Sequence, residues 1–209
     1  MLGNRMLGIS IMIGGILILI GTVLHPILVD PYAGEEALHK FKHSQMWMLD
    51  HILMLIGMFL WLGGLAGSSS YFRKNGAAMF YISLGLWILI LTAELTILPL
   101  IGNEIIGRHH GVLKKVWEAI FSFGLLAGYF AVACSWAGVA LYGWCMKRTE
   151  NSFSTWFQNS GFYSGVWGFA GIVFTCCFFK TAYIVLPLTS GPAYLWTMWW
   201  GWKLFRKKI

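Results

Sequence analysis

Long apolar runs constrain this chain more than any other feature. Five of them, about Met6–Leu24, Trp47–Gly67, Ala77–Leu98, Leu113–Met146 and Phe162–Val185, pass the roughly 18 residues that mark a membrane-spanning helix. A sixth segment, Pro192–Phe205, is shorter and aromatic. It reads as a thin sixth span, because a sixth crossing returns the basic tail to the side of the other basic turns; otherwise it lies in the interface, where Trp and Tyr collect. At about 20 residues per crossing, 209 residues leave no room for a soluble module. The expectation is an all-α integral membrane protein: one transmembrane domain over 1–209, a bundle of five to six transmembrane helices. Only 11% of the residues are charged, against about a quarter in soluble domains.

The net charge of +7 does not point to nucleic acid. Basic residues sit in small groups between apolar runs, and the largest is the tail Lys203, Arg206, Lys207, Lys208, as expected of cytoplasmic ends facing anionic lipid. With the N-terminus cytoplasmic, nine Lys and Arg fall inside and five outside, the direction of the positive-inside rule. The chain is therefore expected in the cell (inner) membrane as a multi-pass protein. Its first run is too long for a signal-peptide core and reads as a retained span. Cys134, Cys145, Cys176 and Cys177 lack zinc-ribbon spacing and imply no disulfide framework.

Between the first two spans lies the stretch Asp30 to Met58, with three of the six histidines, four of the eight acids and four of the ten methionines. Asp30-Pro31 suits a helix start, since Asp caps and Pro fits the first helical position. An interfacial helix from there places Glu35, His39 and His43 on one stripe. Span order puts all six histidines, His25, His39, His43, His51, His109 and His110, on one membrane face, the outer one in this orientation, together with Asp30, Glu35, Glu36, Asp50 and Glu104.

Three charged residues fall within apolar runs: Glu94, Glu118 and Lys180. Each costs several kcal/mol in lipid unless paired or hydrated, and marks a functional position. A Glu94–Lys180 or Glu118–Lys180 pair fixing the helix packing is the plainer reading. A carboxylate acting as metal ligand or proton carrier is the sharper one, since two acids face one lysine. His25 closes the first span and His51 opens the second, so a hairpin sets them at one depth. Facing imidazoles suit haem b or a transition metal such as copper or iron, and Gly21 and Gly57 are the small residues nearest a haem slot.

His39-x-x-x-His43 has the one-turn spacing that grips one ion, and His109-His110 can converge from a loop. Met46, Met48, Met54 and Met58 suit Cu(I) chemically but serve equally as core filler. Phosphate loops, nucleophile elbows and the zinc-protease H-E-x-x-H are absent.

The leading expectation is thus a membrane redox subunit, of electron-transfer or oxidase type. His25 and His51 are its first ligands, His39, His43, His109 and His110 its alternatives, with Glu94 or Glu118 carrying protons or ligating beside a quinol or another lipophilic substrate. Other membrane subunits, or further copies of the chain, are the expected partners. A structural subunit without its own cofactor, and a proton- or cation-coupled transporter using Glu94, Glu118 and Lys180, are the alternatives.

Overall fold

Peptide groups in lipid find no water, so an apolar run must satisfy its hydrogen bonds internally. In the computed structural model, which describes residues 2–71, 74–107, 111–148 and 153–206, every such run is helical, and no strand occurs among the described residues. The helices are α1 (Leu2–Leu24), α2 (Gly34–His43), α3 (Trp47–Gly67), α4 (Lys74–Leu95), α5 (Ile97–Gly107), α6 (Gly111–Arg148), α7 (Thr155–Cys177) and α8 (Ala182–Arg206). Five segments are long and apolar enough to cross a membrane: α1, α3, α4 continued into α5, α6 and α7.

Each long helix packs on its neighbour in sequence, α1 on α3, then α4, α6, α7 and α8, and α8 returns to α1. The six rods therefore close into a ring. Its interior is filled by Trp61, Phe80, Trp136, Tyr142, Phe157, Trp196 and Trp200. The short helices α2 and α5 lie against α6 at one end, over a second core of Ala37, Phe41, Trp47, Leu98, Trp117 and Phe121.

Close approach depends on glycine at the α1/α3 seam. A Cβ on Gly14 would stand 2.7 Å from Gly57 O, and one on Gly57 would stand 2.9 Å from Gly14 O. Gly124 and Gly128, which have the G-x-x-x-G spacing that lets membrane helices approach closely, are not such a seam, because side chains there would meet only ordinary contacts at 3.7 Å or more.

Several expected boundaries move, each for a local reason. Asp30-Pro31 does not open the interfacial helix: Asp30 Oδ1 accepts from Tyr32 N at 2.9 Å, a turn that competes with helix, and α2 starts at Gly34. Pro99 does not end the third span either. The helix breaks at Thr96 and resumes through Pro99 as α5, since proline tolerates the first turn of a helix.

The fifth span ends at Cys177 rather than near Pro187, and α8 runs 25 residues through Pro187 and Pro192. Pro192 cannot donate to Leu188 O; the Trp167 indole on α7 donates to that carbonyl instead, at 3.3 Å. Lys180 lies in the 3-10 turn Phe179–Thr181 and is exposed. It lies outside the five apolar helices long enough to cross a membrane, and among the described residues it pairs with neither Glu94 nor Glu118.

Buried indoles cross-link the ring. Trp61 Nε1 donates to Thr197 Oγ1 at 2.9 Å, and Trp136 Nε1 to Ser190 Oγ at 2.9 Å. Thr197→Val strands the Trp61 donor, a loss of about 1–3 kcal/mol. The expected result is a detergent-solubilised protein melting lower by at least about 2 °C, measured by thermal denaturation beside Thr197→Ser, which keeps the acceptor and the melting point.

Candidate metal centre

Each member of the site is placed by a local device. Pro26 lacks an N–H and biases its predecessor away from helix, so His25 sits at the stop of α1, its N–H still bonded to Gly21 O at 2.9 Å. The connector beyond it is strapped to the bundle. Tyr129 on α6 donates to Val29 O, Ser122 on α6 to Pro31 O, and Lys40 on α2 to Ile27 O at 2.7 Å. Removing one strap with Tyr129→Phe should lower stability by about 1 kcal/mol without changing helix content, as read by denaturation followed in circular dichroism.

Asp50 and His51 occupy the start of α3, and both are fully buried. His51 Nδ1 lies 2.6 Å from Trp47 O and 2.5 Å from Asp50 Oδ1. Both neighbours are acceptors, so Nδ1 carries the proton, and in the neutral ring Nε2 presents its lone pair. That is the outer-shell pattern that orients ligating histidines.

Nε2 in turn faces Glu94 Oε2 at 3.2 Å, yet the contact lacks hydrogen-bond geometry. Nε2 and Asp50 Oδ2 remain buried without a hydrogen-bond partner. Glu94 arrives from the last turn of α4, just before the Thr96 break. There Trp47 Nε1 donates to Glu94 O at 2.9 Å, and Trp117 Nε1 donates to Leu98 O at 3.0 Å. These two indoles hold the broken helix in place.

The rings gather tightly. His25 and His51 have centroids 5.0 Å apart, and Trp47 stacks on His51 at 4.4 Å. His25, Asp50 and His51 each offer a ligand atom, all within 4.8 Å of one another. His25, Asp50 and His51 thus form one cluster, which Glu94 joins through its contact with His51 Nε2; Asp50 and His51 are fully buried, His25 and Glu94 partly.

The structure brings together some expected residues and separates others. His25, His51 and Glu94 converge. His39 and His43 stay on the exposed side of α2, rings 4.4 Å apart, and belong to a different patch. Glu35 turns from their stripe to Lys114 Nζ, 2.7 Å away, whose hydrogen bond and then charge hold its carboxyl below the usual range. Lys40 does the same for Glu36.

Glu118 is half-buried against Gly34 of α2, with Lys114 at 3.9 Å. It fixes the interfacial helix and stands apart from the centre. His109 and His110 lie outside the described residues. Met54 and Met58 are core, while Met46 and Met48 are exposed. Gly21 and Gly57 lie where α1 and α3 touch: a Cβ on Gly21 would stand 2.6 Å from Met54 Cγ and 3.0 Å from Asp50 O.

Asp50 was absent from the expected site residues. Its signal was available, since a carboxylate directly before a histidine, one turn into an apolar helix, must be buried and must find a partner.

No protein family, curated protein or solved structure matches this chain.

Proposed function

We propose that the chain is a membrane redox subunit built around a non-haem transition-metal centre, with His25, His51 and Glu94 as its protein ligands and Asp50 as the outer-shell partner that orients His51. One observation carries this reading: the 3.2 Å approach of His51 Nε2 to Glu94 Oε2 outside hydrogen-bond geometry. Two donor atoms held ~2.0–2.2 Å from one ion stand ~2.8–3.6 Å apart for right-angled to tetrahedral ligation. In the neutral ring a lone pair facing a carboxylate at that separation repels, and a shared cation removes the repulsion, as a proton on Nε2 also would.

The donor set is imidazole and carboxylate without thiolate or thioether, which suits iron, zinc or Cu(II) and not Cu(I). Two histidines with a carboxylate and open positions form the pattern of non-haem iron sites. Bound there, such an ion supplies one-electron chemistry. The chain's own residues do the rest. Asp50 Oδ1 fixes the His51 tautomer, the Trp47 indole covers one ring face, and His51 itself is fully buried. In this reading α8 is the sixth crossing, the N-terminus is cytoplasmic and the centre lies toward the outer face.

A second reading rests on Asp50 Oδ1 at 2.5 Å from Nδ1. An imidazolium held between Asp50 and Glu94 is a proton-carrying site of the kind a coupled transporter uses. Elemental analysis of the purified protein separates the two. The expected result is close to one transition-metal ion per chain, with an optical or paramagnetic signature. Metal at background level after growth with supplemented iron, zinc and copper ends the metal reading and leaves the proton site.

A further inference from the structure

The outer side of α2 carries a histidine pair that the buried centre does not use. His39 and His43 are one helical turn apart, both exposed, with ring centroids 4.4 Å from each other. His43 Nδ1 lies 2.8 Å from His39 O. A carbonyl only accepts, so Nδ1 carries the proton, and in the neutral ring Nε2 keeps its lone pair free. Ligating histidines are oriented in this way, by an acceptor on the nitrogen that does not bind. The His39 ring makes no hydrogen bond among the described residues.

The separation of the rings fits one ion between them. An imidazole bound ~2.0–2.1 Å from a metal sets its ring centroid ~3.2 Å away, so two rings ligating at right angles stand ~4.5 Å apart. Neighbouring charges on the helix are already committed. Lys40 is held by Glu36 at 2.6 Å, Glu35 by Lys114 on α6 at 2.7 Å, and Lys42 lines a hollow shared with Pro99 and Asn103 of α5. Among the described residues neither ring is paired with a carboxylate.

We propose that His39 and His43 form a second, exposed site for a divalent first-row transition-metal ion, bound through His43 Nε2 and one ring nitrogen of His39. Two imidazoles one turn apart on a helix grip a single ion from one face. Nitrogen donors favour Cu(II), Ni(II) and Zn(II) and have little attraction for Ca(II) or Mg(II), which take oxygen. With two protein ligands the remaining positions go to water, so the ion exchanges readily and is held more loosely than in the buried centre. A competing chelator therefore clears this site first, and the metal that survives it belongs to the centre. The pair stands on α2 alone and is independent of the chemistry at His51.

The probe is Zn(II) alone, titrated by equilibrium dialysis into the tag-free full chain in detergent, as isolated and after stripping with chelator. The protein as isolated is expected to take up one further Zn(II) per chain, with excess Ca(II) failing to compete. His39→Ala and His43→Ala each weaken that uptake at least about tenfold, while Gly85→Ala, in open space on α4, keeps it. Both histidines sit opposite the buried Ala37 and Phe41 that seat α2, so circular dichroism of the two variants stays at wild type. No further saturable Zn(II), undiminished affinity in both histidine variants, or displacement by Ca(II) overturns the proposal. Stripped protein that binds a single Zn(II), lost in both histidine variants, refutes the buried centre and leaves the exposed pair standing.

Discussion

His51→Ala is expected to lower metal affinity by at least about a hundredfold, the upper end of what loss of a mere outer-shell partner costs. The residue is fully buried and touches three other members of the centre, so its removal takes a ligand and unseats the two carboxylates. Because a buried Asp50 without His51 also destabilises the fold, Glu94→Gln is the companion variant. It keeps the shape and one acceptor oxygen, removes the anion, and should still weaken the ion by about tenfold or more. His39→Ala and His43→Ala, on the exposed face of α2, should leave metal content at the wild-type level. Elemental analysis with a competing chelator reads all four. Equal metal in His51→Ala and wild type, or loss in His39→Ala alone, would move the centre elsewhere.

Gly14→Val should prevent accumulation of folded protein. Its Cβ would stand 2.7 Å from Gly57 O and 2.8 Å from Leu60 Cβ, and the first of these is backbone that no rotamer can clear. Overpacking a filled interior costs about 1–3 kcal/mol and sometimes more, a large share of the 5–15 kcal/mol that holds a typical domain together. Since α1 carries His25 and α3 carries Asp50 and His51, parting this seam also dismantles the centre. Gly85→Ala meets nothing within 4 Å and should fold normally. Size-exclusion yield and thermal melting in detergent compare the two, and wild-type behaviour of Gly14→Val would contradict the packing at this seam.

The two glycine variants show why some sequence signals mislead. Gly124-x-x-x-Gly128 has the spacing of a helix-packing motif, yet spacing says nothing about whether a neighbour is present; the neighbours came instead to Gly14, Gly57 and Gly165. Lys180 was placed in a span because apolar residues continue on both sides of it. The chain instead leaves the helix at Phe178 and carries Lys180 exposed in the 3-10 turn that follows. Pro99 and Pro187 looked like stops, and Pro192 like a start. All three sit inside helices: Pro99 in a first turn, where its missing donor is tolerated, and Pro192 where the Trp167 indole meets the carbonyl it frees, Leu188 O.

By itself the sequence determined the helical crossings and the end of the bundle at which the histidines collect, because both follow from local polarity: apolar runs in lipid have to be helices, and imidazoles beside them belong near its edge. Tertiary structure alone decided which of those groups meet. His25, Asp50–His51 and Glu94 come from three helices, and their meeting depends on the bare α1/α3 seam at Gly14 and Gly57 and on the break at Thr96 that two indoles hold. Contact between residues so far apart in the chain is fixed by how side chains fill the space between helices, which no stretch of sequence states on its own.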